Sequence, residues 1–141
     1  MPDILHQLTI KASPQQVYAA ITTQAGLSSW WTHDTKAEPK VGTVSEFGFL
    51  NRKIVFKMRV DVLQPNSCVS WYCLGGDPEW EDTSLSFELT RTPEGHTQIY
   101  FLHHDWKTTS GIFALCNFDW AKYLTSLRDY LETGKGNPHT K

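Results

Sequence analysis

The chain has 141 residues, 40% apolar and 20% charged, with a formal net charge of −2. That length buries a sizeable core without disulfides, and that balance excludes both a disordered charged tail and the basic footprint of a nucleic-acid binder. No apolar run approaches the roughly 18 residues of a membrane span, and Met1-Pro2-Asp3-Ile4 lacks the basic and apolar regions of a signal peptide. A single cytoplasmic domain over 1–141 is expected.

Residues 3–11 alternate, with Ile4, His6, Leu8 and Ile10 on one face, and read as a strand. Ser13 suits a helix N-cap, Pro14 the first helical position, and Gln16 completes a capping box. Val17, Ala20 and Ile21 give that helix a short apolar stripe; Gly26 interrupts, and a second short helix covers about 24–30. Strand signals then follow one another to about residue 105. Thr43–Phe49 comes first, then a turn at Asn51-Arg52. Ile54, Phe56, Met58, Val60 and Val62 form the dry face of the next strand, opposite Lys57, Arg59 and Asp61. Val69, Trp71 and Cys73, then Leu85, Phe87 and Leu89, then Thr97, Ile99, Phe101 and His103 complete the inward sets. From Ser110 to Glu132 the period becomes helical, with Cys116, Trp120, Leu124, Leu127 and Leu131 on one stripe and Gly134 placed to end it. An α+β fold is predicted, in which a curved antiparallel sheet wraps around the long C-terminal helix.

The order and spacing of these motifs resemble the SRPBCC, or START-like, helix-grip superfamily, which also includes birch-pollen-like allergens. Within it the chain is similar to small bacterial proteins related to the activator of the heat-shock-protein-90 ATPase. The resemblance runs from about 3 to 133. It rests on Ala12-Ser13-Pro14, Val17-Tyr18-Ala19-Ala20-Ile21, Gly26-Leu27, Trp30-Trp31, Val41-Gly42, Leu85–Leu89, Gly95-His96-Thr97 and Tyr130-Leu131-Glu132-Thr133-Gly134. It implies binding of apolar or amphipathic ligands between sheet and helix, and carries no common catalytic set. A chaperone partner follows from the family name alone. The separate N-terminal domain of the full-length chaperone activator has no counterpart among these motifs, which argues against chaperone stimulation.

Aromatic residues make up 13% of the chain, enough either for a bulky core or for an aromatic-lined cavity. The expected cavity walls are Trp31, Phe56, Met58, Trp71, Phe87, Phe101, Trp120 and Leu124, with His103 and Asn117 orienting a ligand. Trp71 and Trp120 equally well pack together and fill the space. Trp30 and Trp31 are adjacent, so at most one is expected to point straight into the core. Trp80 covers one mouth of the cavity or, if exposed, marks a partner surface.

Catalytic signals are weak. His103 and His104 point to opposite faces of a strand, with His103 inward. It is either a buried histidine bonded to a neighbour or a polar anchor in an apolar pocket. Glu46 faces solvent if Phe47 and Phe49 face the core; the opposite register buries a carboxylate and permits acid–base chemistry. A cyclase- or hydrolase-like enzyme using Glu46 or His103 is therefore the alternative to a non-enzymatic binding module. Asp61 belongs to a solvated charge network, and Asp77, Glu79, Glu81 and Asp82 to a solvated loop. Cys68, Cys73 and Cys116 read as free thiols, Cys116 without a basic partner and inert. Gly134-Lys135-Gly136 is too short for a phosphate loop. No metal, cofactor, membrane or nucleic-acid site is expected.

Overall fold

The computed structural model describes residues 2–140. The chain opens with β1 (Ile4–Ile10), α1 (Pro14–Thr22) and α2 (Gln24–Trp30). Then come β2 (Asp34–Lys36), β3 (Val44–Phe49), β4 (Ile54–Gln64), β5 (Cys68–Gly75), β6 (Ser84–Arg91) and β7 (Thr97–His104). The long helix α3 (Phe113–Thr133) follows. The strands form one curved antiparallel sheet in the order β1-β7-β6-β5-β4-β3-β2, so β2 to β7 meander and β1 returns to pair with β7. Inner-face residues Phe47, Met58, Val60, Val69, Trp71, Leu85, Phe87, Ile99 and Phe101 are buried, and α3 presents Cys116, Trp120, Leu124 and Leu127 to them. Among the described residues no helix is long and apolar enough to cross a membrane.

Local chemistry explains the junctions. Gln16 N–H donates to Ser13 Oγ at 3.2 Å and Ser13 N–H donates to Gln16 Oε1 at 3.0 Å, the reciprocal capping box expected there. Thr23 both ends α1 and caps α2, accepting from Gly26 N–H at 3.0 Å. Gly26 sits inside α2 rather than interrupting it. A Cβ at that position would lie 2.6 Å from the Ala20 Cα and carbonyl oxygen, so glycine permits the close crossing of α1 and α2. Gly134, with φ of 88°, ends α3 in the left-handed conformation.

Two strand features depart from the sequence pattern. β4 bulges after Val60, so Val62 pairs with Ser70 and Leu63 with Val69. The extra residue, Asp61, moves Val62 to the outer face and brings Leu63 onto the core. The short edge strand β2 has no apolar alternation to announce it, and is defined by its pairing with β3. On the outer face Arg59 and Asp61 pair at 2.6 Å in the expected solvated network.

Candidate functional site

The space between sheet and α3 is largely filled by indole and phenyl rings. All six tryptophans are buried, including both members of the adjacent pair Trp30-Trp31. The expectation of only one inward ring fails because α2 stops at Trp30. Trp31 is its C-cap, where the chain is leaving the regular helical path. Trp30 donates its indole N–H to Ala20 O at 2.9 Å. Trp31 stands at the centre, with ring centroids 4.3 Å from Phe47, 5.0 Å from Trp120 and 6.1 Å from Trp71. It therefore occupies the middle ground that Trp71 and Trp120 were expected to share.

His103 is fully buried on the inner face of β7. Trp120 donates its indole N–H to His103 Nδ1 at 3.1 Å. Because Nδ1 accepts, the proton sits on Nε2, which donates to Thr83 Oγ1 at 2.8 Å. Thr83 in turn donates to Trp80 O at 2.6 Å. Both ring nitrogens are satisfied by protein, and burial pushes the imidazole down to about 3, with His104 adding a smaller push. His103 is a neutral latch between β7, α3 and the loop before β6.

Next to this latch the aromatic filling stops short of complete. A cavity of about 330 Å³ is lined by aromatic and aliphatic side chains from β3, β4, the loop before β6 and α3, with Cys116, Asp119, Tyr123 and His139. Trp31, Phe56 and Trp120, three of the expected wall residues, lie in that lining. Met58, Trp71, Phe87, Phe101 and Leu124 are buried outside it. Asn117 is solvent-exposed on α3, and its carbonyl oxygen lies 3.2 Å from His6 Nε2. Glu46 points to the outer face, where Arg52 donates to it at 2.7 Å and holds its carboxyl below the usual range.

Trp80, expected at one mouth of the cavity or on a partner surface, is buried and closes one wall, stacked on Phe56 at 4.0 Å and donating to Cys116 Sγ at 3.4 Å. Burial raises the Cys116 thiol to about 11, so it stays protonated. Glu79, expected in solvent, accepts from Ile112 N–H at 3.1 Å. It caps α3, whose own N-cap Ile112 offers no side-chain acceptor. Asp119 and Tyr123 are four residues apart and flank the Cys116–Trp120 stripe, a signal available in the helical periodicity. His139 had no such signal. It reaches the cavity because the tail after α3 folds back: His139 N–H donates to Trp31 O at 2.8 Å, and His33 N–H donates to His139 O at 2.9 Å. Leu50, Asn51 and Arg52 hold φ of 54°, 57° and 65°, a left-handed run costing roughly 1–2 kcal/mol per residue. Arg52 secures this turn by pairing with Asp34 and Glu46, and Leu50 N–H donates to His139 Nε2 at 3.2 Å.

Comparison with known proteins agrees with this architecture. Among curated proteins none matches the chain. The solution structure of the Aha1 dimer from Colwellia psychrerythraea is 41% identical, covers 96% of this chain and 100% of that one, and superposes with a TM-score of 0.87. A crystal structure of a Mesorhizobium loti protein is 19% identical over 93% of this chain and 97% of its own, with a TM-score of 0.81, and shares the fold. A Staphylococcus saprophyticus protein does so at 14% identity, 99% and 98% coverage and a TM-score of 0.78. The family model described as "Activator of Hsp90 ATPase homolog 1-like protein" matches residues 11–132, and the chain belongs to that family.

Proposed function

We propose that the chain binds a small apolar or amphipathic molecule in the cavity beside Trp31, Trp80 and Trp120. One observation carries this reading: about 330 Å³ remains open in a gap otherwise packed with aromatic rings. That volume lies at the lower end of the roughly 300–1,000 Å³ typical of small-molecule pockets. The two groups needed by a cyclase- or hydrolase-like reading are engaged elsewhere, Glu46 with Arg52 and His103 with Trp120 and Thr83. This favours binding over catalysis. The three cysteines are free thiols, which fits a reducing compartment such as the cytoplasm. Native mass spectrometry of freshly purified protein tests the reading. An excess mass that disappears on denaturation is expected. A bare mass, with none gained on incubation with 1-octanol, would overturn it.

A second reading concerns assembly. The Colwellia relative is described as a dimer. Here Leu115 and Phe118 lie three residues apart on α3, 60% and 72% exposed. We infer that this chain also pairs through that stripe, because two adjacent large apolar side chains gain most from mutual burial. Phe118→Glu should convert a dimer to a monomer in sedimentation velocity. A wild-type chain that sediments as a monomer at high concentration contradicts this. The family's name also raises chaperone activation, for which retention on the host's own heat-shock protein 90 is the test.

A further inference from the structure

An apolar ligand does not require a carboxylate in its pocket, yet Asp119 lines this one, next to Trp120 and four residues before Tyr123. It is half-buried and, among the described residues, its carboxylate neither forms an ion pair nor accepts a hydrogen bond. No other lining side chain carries a fixed charge. His139 is engaged through Nε2, which accepts from Leu50 N–H at 3.2 Å. Lys122 does not line the cavity; its Nζ sits over the Tyr123 ring, 5.4 Å from the centroid.

Around Asp119 the walls are π systems: Trp31, Phe49, Phe56, Trp80, Trp120 and Tyr123. Aromatic faces carry partial negative charge and attract cations within about 6 Å. Walls and carboxylate therefore act with the same sign. The field of Asp119 already reaches its neighbours, adding to burial in raising the Cys116 thiol and the Tyr123 phenol above their ordinary values.

We propose that the cavity selects amphipathic organic cations. An ammonium or quaternary ammonium head sits against Asp119 and the surrounding rings, and its apolar body lies along Trp31 and Trp120. A carboxylate head on the same body meets like charge instead. This selectivity rests on the cavity being a ligand site, and the test separates the two claims. Intrinsic tryptophan fluorescence is titrated at 0.15 M salt with octyltrimethylammonium, 1-octanol and octanoate, which share one alkyl chain. The cation should bind at least about tenfold tighter than octanoate and tighter than 1-octanol. Asp119→Asn, checked for an unchanged unfolding temperature, should erase the cation's advantage over 1-octanol. Saturable binding of 1-octanol as tight as that of the cation would overturn the selectivity and leave the cavity a ligand site. No saturable change with any of the three probes would overturn both.

Discussion

His103→Leu is expected to cost about 2–4 kcal/mol of folding stability at pH 7.5. The substitution leaves the buried Trp120 indole N–H without its acceptor and takes the Nε2–H donor from Thr83. An unsatisfied buried donor alone costs about 1–3 kcal/mol. The same residue sets an acid dependence. Its folded value, about 3, lies below the ordinary 6.5, so the unfolded chain takes up the proton first. Stability from this group is complete above 6.5 and is lost as pH falls toward 3, by up to about 1.4 kcal/mol per pH unit. By pH 5 the wild type has lost about 2 kcal/mol on this account, a loss the leucine variant does not suffer. Urea unfolding of both proteins at pH 7.5 and pH 5 should show their stability difference shrinking in acid. A difference equal at both pH values contradicts the neutral-latch assignment.

Trp31→Ala should be costlier still, about 3–5 kcal/mol by thermal unfolding, the usual range for removing a buried large aromatic. Its ring lies 4.3–6.1 Å from five other aromatic rings, so surrounding side chains cannot all collapse onto one vacated site. Because Trp31 also lines the cavity, its loss joins the new void to the existing one. Affinity for a bulkier neutral alcohol such as 2-naphthaleneethanol should rise relative to 1-octanol. Trp31→Leu, a milder change, should move both quantities in the same direction. Unchanged stability, or an unchanged ratio of the two affinities, contradicts the placement of Trp31 between core and cavity.

Much of this architecture was legible because it follows local rules. Ser13-Pro14 and Gln16 mark a helix start by hydrogen-bond chemistry that acts within four residues. The Cys116, Trp120, Leu124, Leu127 stripe and the alternation along β4 to β7 reflect which face meets water. These elements in this order also carried the family resemblance. What was not legible depends on partners distant in sequence. Nothing near Asp61 announces the bulge that turns Val62 outward, since it is a property of the pairing with β5. His103 was read as inward, but the choice between ligand anchor and structural latch turned on Trp120 and Thr83. The cavity itself is what remains after Trp31 takes the centre. Its polar rim takes Asp119 from the flank of the α3 stripe, where helical periodicity places it, and His139 from a tail held by Trp31 and His33, contacts no periodicity encodes.

The six tryptophan indole N–H groups provide the most direct test of ligand binding at this cavity. Trp31, Trp80 and Trp120 line it, whereas Trp30, Trp71 and Trp106 are buried outside its lining. Assigned two-dimensional ¹H–¹⁵N spectra recorded during titration with 1-octanol report on all six together. Saturable shifts of the first three, with the other three nearly still, are the predicted result. Shifts confined to Trp30, Trp71 and Trp106, or no saturable shift at all, would contradict the account.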